Sequence, residues 1–426
     1  MPTSPKDYTV RGVHCDFMAD DETVYQALKA ATAPLHRSWE RLRAAKTIAI
    51  KFNQDKATKN VVMYNERHRQ QLVSDTVVRA TLRLLREMTT AELQCVDVSF
   101  YTMYNGETIE DTTQIAPLLK EFDVKYFDGT KPPFRWVETP GGGLMFDKYQ
   151  VMEACAEADE LISVALIKNH AFMGVTGCLK NLFGLMPGEF HGGRPRTYYH
   201  HLVRMPYHLA DLGKLFDPAL CIVDALVGQA GQEWHSGVDA TTGVHQGREV
   251  NGLMAGDHVI ATDACLMHTM GHDPAADWPT PPFHRDRNSV KMAADGGYGT
   301  VNLDEIDFQT EIERQKPGSF YSIQTDSAEM CYSWLRTMCE QALYYRDNQQ
   351  KFHAAYAGEY ILLQQREVKW HNPFGRVTES RRLLAGDNPE QAMWFKYVDP
   401  EEAEGEHFEI YEQTLERLKN YEPLPA

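Results

Sequence analysis

ADELISVALIKNHAFMGVTGCLKNLFGLMPG (residues 158–188) opens as an apolar run and ends, at Lys168, Asn169 and His170, in polar groups. A run of this length, uninterrupted by charge, is the pattern of a parallel strand buried on both faces. Working outward, KTIAIKFN (46–53) is a shorter β-branched run, QQLVSDTVVRATLRLLREM (70–88) is helical, and ELQCVDVSFY (92–101) is a second strand. Strand, helix, strand at this spacing is the signature of a βαβ unit. A helix in QIAPLLKEF, an extended VKYFDG and a glycine-rich turn in ETPGGGLMF follow. Further on, LCIVDALVG (220–228) reads as a buried strand, and HVIATDACLMHTMGHDP (258–274) as a strand passing into a helix. The expected fold is α/β, a mainly parallel, doubly wound sheet with helical additions at both ends. The expected divisions are a helical N-terminal extension (1–45), an α/β core (46–310) and a mostly helical C-terminal region (311–426).

Composition narrows the function classes. The 426 residues carry 43% hydrophobic and 24% charged residues, an ordinary globular balance. A net charge of −17 sets a repulsive field against phosphate backbones, so nucleic acid is not the expected partner. No stretch reaches the roughly 18 apolar residues of a membrane helix, and the N-terminus lacks the apolar core of a secretory signal. The eight cysteines include no CxxC pair, which removes support for iron–sulfur and structural zinc sites and suits a reducing, cytoplasmic setting.

Ligands of open parallel sheets bind beyond the carboxyl ends of the strands. Polar residues placed there are Lys51 and Asn53, Lys168, Asn169 and His170, Asp224 and Gln229, and Asp263. Between 168 and 196, Gly174, Gly177 and Gly184 permit close backbone approach. Lys168, Lys180, Arg194 and Arg196 add positive charge, a combination suited to an anionic group. GVTGCLKN does not match the phosphate loop GxxxxGK[ST], and no GxGxxG follows an early strand, so ATP and NAD lack motif support. GxSxG is absent, and Cys178 among glycines reads as a packing residue rather than a nucleophile.

Histidines gather downstream: His191, His200, His201 and His208, then Asp211. Were TYYHHLVRMPYHLADLGKLF helical throughout, His201, His208 and Asp211 would share one stripe. That donor set suits a divalent transition metal such as zinc, iron or nickel. Asp224 and Asp263 either orient a site residue or cap a neighbouring helix. WHSGVDATTGVHQGREVNG (234–252) is expected to be a polar substrate loop offering His235, His245 and Arg248.

The stretch 158–188 resembles the signature of the domain-of-unknown-function 362 family. That signature is a strand ending in lysine–x–histidine, then threonine–glycine, lysine–asparagine and phenylalanine–glycine, here Lys168, His170, Thr176, Gly177, Lys180, Asn181, Phe183 and Gly184. IAIKFN, CIVDALVG, GLMAGDHVIATDACLMHTMGHDP and DGGYGTVNLDEIDF extend the likeness over about residues 46–310. The resemblance implies a fold and a site more than a reaction. Some members carry ferredoxin-type cysteine clusters, which this chain lacks. A looser similarity links the glycine–lysine segment to the lactate racemase superfamily, which uses a nickel cofactor on small hydroxy acids; kinship at that level does not transfer function.

Together these readings predict a small-molecule enzyme acting on an anionic or oxygen-rich substrate by isomerisation, lyase chemistry or a redox step, in specialised metabolism. Lys168, Lys180, Asn181 and Thr176 would hold the substrate, His170 would move a proton with Lys168 and Lys180 as its catalytic companions, and a role for a divalent transition metal in polarising the substrate is left open. Lys51, Asn53, Arg194, Arg196, Asp224 and Asp263 would line the pocket. The rival expectation is a non-catalytic protein that carries a metal or an anion. The aromatic helical end suits either a homo-oligomer interface or an internal domain contact.

Overall fold

The computed structural model describes residues 7–54, 61–98, 113–188, 194, 196–232, 237–240, 242–373 and 393–421. Its centre is a nine-stranded sheet built from β1 (Tyr8–His14), β2 (Thr47–Phe52), β3 (Glu92–Asp97), β4 (Lys125–Asp128), β7 (Glu160–His170), β8 (Gly174–Val175), β9 (Leu220–Gln229), β10 (Gly247–Gly256) and β11 (Ile306–Thr310). The spatial order is β11-β1-β10-β9-β7-β2-β3-β4, with short β8 folded back on β7. From β9 through β7, β2 and β3 to β4 every pairing is parallel; β10 runs against both β9 and β1. The sheet is therefore mainly parallel, as expected.

Side chains alternate between two apolar layers. Ile48 and Ile50 of β2, and Ile162, Val164 and Leu166 of β7, enter one layer with the helices Asp21–Thr32 and Asp75–Met88. Ala49, Leu161, Ala165 and Ile167 enter the other, against the helices Arg204–Phe216 and Val259–Thr269. Burial on both faces is why these strands read as unbroken apolar runs.

Four expectations need correction. The N-terminal region is not a purely helical extension, because β1 pairs between β10 and β11 inside the main sheet. The segment 234–252 is not all loop: Gly247 onward forms β10, with a register shift between Glu249 and Gly252. HVIATDAC is helical from Val259, its start fixed by His258, whose ring accepts from the Ile260 N–H. The C-terminal region holds helices at Ala328–Asp347, Gln349–Tyr356 and Glu409–Lys419. It also holds a three-stranded antiparallel sheet of β12 (Tyr360–Gln364), β13 (Glu367–Asn372) and β14 (Trp394–Tyr397). A separate hairpin pairs β5 (Phe134–Glu138) with β6 (Lys148–Met152).

Candidate functional site

From β2 the chain moves outward to β3 and β4, then returns to the opposite flank of β2 as β7 and moves on to β9. The direction of winding reverses between β2 and β7. In open parallel sheets a ligand crevice is expected at the carboxyl ends of two strands that part in this way. Register pairs Phe52 with Val164, so Ala165–His170 project past the end of β2. Lys51, Asn53, Lys168 and His170 thus gather near the switch point.

At the end of β7, the Lys168 ammonium donates to the carbonyl of Gln71 at 2.9 Å. His170 is buried, and its Nδ1 accepts from the backbone N–H groups of Phe172 (3.2 Å) and Met173 (3.3 Å). Two donors at Nδ1 leave the ring proton of the neutral imidazole on Nε2. Burial, reinforced by Lys180, His200, Lys168 and Arg196, drives the His170 pKa well below the usual histidine value. The ring is therefore a neutral Nε2–H donor set among cations. This changes its expected role: a lone pair at Nδ1 that already takes two N–H groups is not a proton acceptor for substrate.

The helix Gly177–Asn181 begins beside β8. Asp263 Oδ1 accepts from the Cys178 N–H at 2.7 Å and Oδ2 from the Leu179 N–H at 2.8 Å. Gly177 adopts φ +57°, and a Cβ there would lie 2.4 Å from the Asp263 carboxylate, so glycine is required for this close approach. At its other end Asn181 Nδ2 donates to Lys51 O, Ser163 Oγ and Val164 O, tying β2 to β7 at the switch point. Lys180 lies with its Nζ 5.0 Å from the Phe183 ring centroid, and the Arg196 guanidinium lies 4.9 Å from the same ring.

Several predicted site residues serve the scaffold. Lys51 forms a buried ion pair with Asp97 at 3.0 Å, under Gly184, where a Cβ would meet Lys51 Cε at 2.2 Å. Asp224 accepts from the Ser74 N–H and Oγ at the start of the helix Asp75–Met88, and from the Leu226 N–H. Asp263 caps as described. Arg194 is committed to Glu404 (2.7 Å) and Asp399 (3.2 Å) of the C-terminal region. For Asp224 and Asp263 these contacts are the capping alternative stated from the sequence, and Arg194 packs against the C-terminal region where a substrate contact was expected. His245 accepts from the Gly247 N–H, and Arg248 donates to Ser319 O. Cys178 is buried, and burial raises its thiol pKa. His191 and His235 lie outside the described residues.

The structure does not assemble His201, His208 and Asp211 as a metal set. The helix starts only at Arg204, which puts Pro206 in its first turn and leaves His201 off the helix. Asp211 is spent on the backbone N–H groups of Leu144, Met145 and Phe146 and on the Tyr149 hydroxyl. His208 stacks on Tyr199 at 4.4 Å. Among the described residues no three His, Cys, Asp or Glu side chains converge to hold a metal ion. Among the described residues the groups at the ends of β2 and β7 are mainly ammonium, guanidinium, amide and hydroxyl groups, a set that does not fit a divalent cation.

Sequence reasoning passed over Asp97 and the Gln71 carbonyl. Asp97 ends β3 and obeys the same strand-end rule that selected Lys51. The Gln71 carbonyl left no signal in the sequence.

Residues 49–268, more than half of the chain, match the family model described as Domain of unknown function (DUF362). The chain belongs to the DUF362 family. The family signature quoted from the sequence falls on the crevice described above. Thylakoid-associated protein sll1697 from Synechocystis sp. is 23% identical over 216 residues, covering 51% of this chain and 62% of the relative. The match therefore spans less than two thirds of that relative's length. Among solved structures, the lactate racemase apoprotein from Thermoanaerobacterium thermosaccharolyticum superposes with a TM-score of 0.37 at 14% identity, over 63% of this chain and 58% of that one. That likeness is too loose to transfer an activity. Among the described residues of this DUF362 chain, no helix is long and apolar enough to cross a membrane.

Proposed function

We propose that this protein is a small-molecule enzyme whose substrate carries a carboxylate or phosphate, bound where β2 and β7 part. One observation carries the reading: a buried, neutral His170, fixed as an Nε2–H donor, stands in the field of Lys168, Lys180 and Arg196. Lys168, Lys180 and Arg196 lend the end of β7 a positive field, and an anionic group entering it would be attracted there. The cations would seat the anionic group, and the His170 Nε2–H would donate to an oxygen on which negative charge develops. Isomerisation, lyase chemistry and redox steps next to a carbonyl all build such charge.

The test begins with calorimetric titration of inorganic phosphate and of a short carboxylate into the wild type and into Lys168→Met, Lys180→Met and Arg196→Met. Binding to the wild type, weakened about tenfold or more in each folded variant, is the expected result. Wild-type protein that binds neither anion would sink the reading. Turnover is then sought by following solvent deuterium into pooled small acids by NMR, with His170→Ala as the inactive control. Binding without exchange or consumption of any pooled acid would favour a carrier of anions over an enzyme.

A further inference from the structure

The Asn181 amide is oriented by its surroundings. Its Nδ2 faces the carbonyls of Lys51 (2.9 Å) and Val164 (3.2 Å) and the Ser163 hydroxyl (3.1 Å). Two carbonyls can only accept, so the nitrogen must lie on that side and Oδ1 on the other. Asn181 Oδ1 is buried and meets no donor among the described residues. The same holds for Asn53 Oδ1 and for Thr176 Oγ1. Asn181 and Thr176 are themselves only 3% and 5% exposed, too little for bulk water to satisfy these oxygens.

These oxygens border the anion site. The Val164 carbonyl also accepts from the Asn53 N–H at 3.0 Å, so the Asn53 backbone and the Asn181 side-chain amide meet at one carbonyl at the end of β2. Thr176 precedes the helix that Asn181 ends, about 7 Å away at 1.5 Å rise per residue. The Thr176 N–H donates to Lys168 O at 3.0 Å, and its carbonyl accepts from the Lys180 N–H at 3.2 Å. Thr176 is thus tied through its backbone to Lys168 and Lys180, and Asn53 and Asn181 are tied to the end of β2. A buried acceptor without a donor keeps its full desolvation penalty, so a set of three calls for donor groups from outside the chain. Ammonium donors would be repelled by Lys168, Lys180 and Arg196. Hydroxyl groups would not.

We propose that the ligand is a polyhydroxylated anion about six atoms long, its carboxylate or phosphate among Lys168, Lys180 and Arg196, and its hydroxyls donating to Thr176 Oγ1, Asn181 Oδ1 and Asn53 Oδ1. This rests on the anion site proposed above and adds the class of molecule that fills it.

Two matched pairs of probes test it by calorimetry on the full chain: gluconate against hexanoate, and sorbitol 6-phosphate against hexyl phosphate. Within a pair only the hydroxyls differ, and comparison between pairs separates carboxylate from phosphate. The hydroxylated member of at least one pair is expected to bind at least about tenfold more tightly, as for a site built to pair a substrate hydroxyl. Thr176→Val and Asn53→Ala are each expected to shrink that difference while leaving the hydroxyl-free member's affinity in place. Equal affinity within both pairs overturns this inference and leaves the anion site standing, as does a difference that neither variant reduces. Failure of all four probes to bind overturns both.

Discussion

The carboxylate of Asp263, on the helix Val259–Thr269, accepts the backbone N–H of Cys178 at 2.7 Å and so caps a helix 85 residues earlier in the chain. The capped helix carries Lys180 and Asn181, so Asp263 reaches the crevice only through the segment it holds. Burial lifts its pKa from the usual 3.8 to about 7, against the lowering effect of the Leu179 and Cys178 N–H groups. With the folded pKa above the unfolded one, the folded state holds a proton that the unfolded chain has released between about pH 4 and 7. The stability associated with this group is full below the unfolded pKa and is lost as pH rises toward 7. Asp263→Asn cannot ionise. Its Tm is expected to lie below the wild type's at pH 4, because Nδ2 cannot accept from Leu179, and the gap should narrow steadily up to about pH 7. A gap independent of pH would show that folding does not raise the Asp263 pKa.

His170 is expected to remain neutral from pH 5 to 8 with its proton on Nε2. Nitrogen-15 NMR of histidine-labelled protein reports this directly, since protonated and unprotonated ring nitrogens resonate far apart. The assignment comes from loss of one signal pair in His170→Gln. A titration of that signal near the ordinary histidine pKa of about 6.5 would contradict both the burial and the cationic surroundings.

Legibility in the sequence followed burial. β2, β3, β7 and β9 were readable because strands covered on both faces need apolar residues at every position. β10, GREVNGLMAG, escaped notice because it carries Arg248, Glu249 and Asn251, three glycines and a register shift, with Asn251 at φ +59°. β1 escaped because its seven residues alternate and its partners lie more than two hundred residues on. Lys168 and His170 were singled out by the strand-end rule, and Lys180 by the positive charge of the glycine-bearing stretch 168–196. For Asp224 and Asp263 the sequence left helix capping and a site role both open, and it did not give Arg194's partner, since a carboxylate or guanidinium looks the same in sequence whether it meets a ligand, a helix start or, as for Arg194, a glutamate 210 residues away.

Lys51 and Asp97 are 2% and 8% exposed in their side chains and 3.0 Å apart. Replacing one member removes the buried opposite charge that the other faces. Lys51→Met is expected to destabilise the fold by about 3–5 kcal/mol, and Lys51→Met combined with Asp97→Leu to recover much of that loss. Urea unfolding of the two single variants and the double variant measures the coupling. Additive losses would mean that the two groups do not stabilise one another.

Lys396 extends the same logic to the junction between the C-terminal sheet and the core. Its ammonium, fully buried, pairs with Glu402 (2.7 Å), Glu404 (2.8 Å) and Glu406 (2.8 Å). Glu406 also holds Arg204 at 2.9 Å, and Glu404 holds Arg194. Burial alone would raise the Glu404 pKa, yet Lys396 and Arg194 bring it down to about 2. A depressed folded value means stability that is present above the unfolded pKa of about 4.5 and is lost as pH falls toward 2. Lys396→Met leaves three carboxylates facing two arginines and is expected to cost about 3–5 kcal/mol. The loss should be smaller at pH 4 than at pH 7, because the stranded glutamates can then take up protons. Arg194 and Arg204 flank the short helix Arg196–Tyr199. Phosphate affinity at the crevice is therefore expected to fall in this variant even at temperatures where circular dichroism shows the fold intact. Unchanged affinity in the folded variant would show that the C-terminal sheet clamps the core without positioning Arg196.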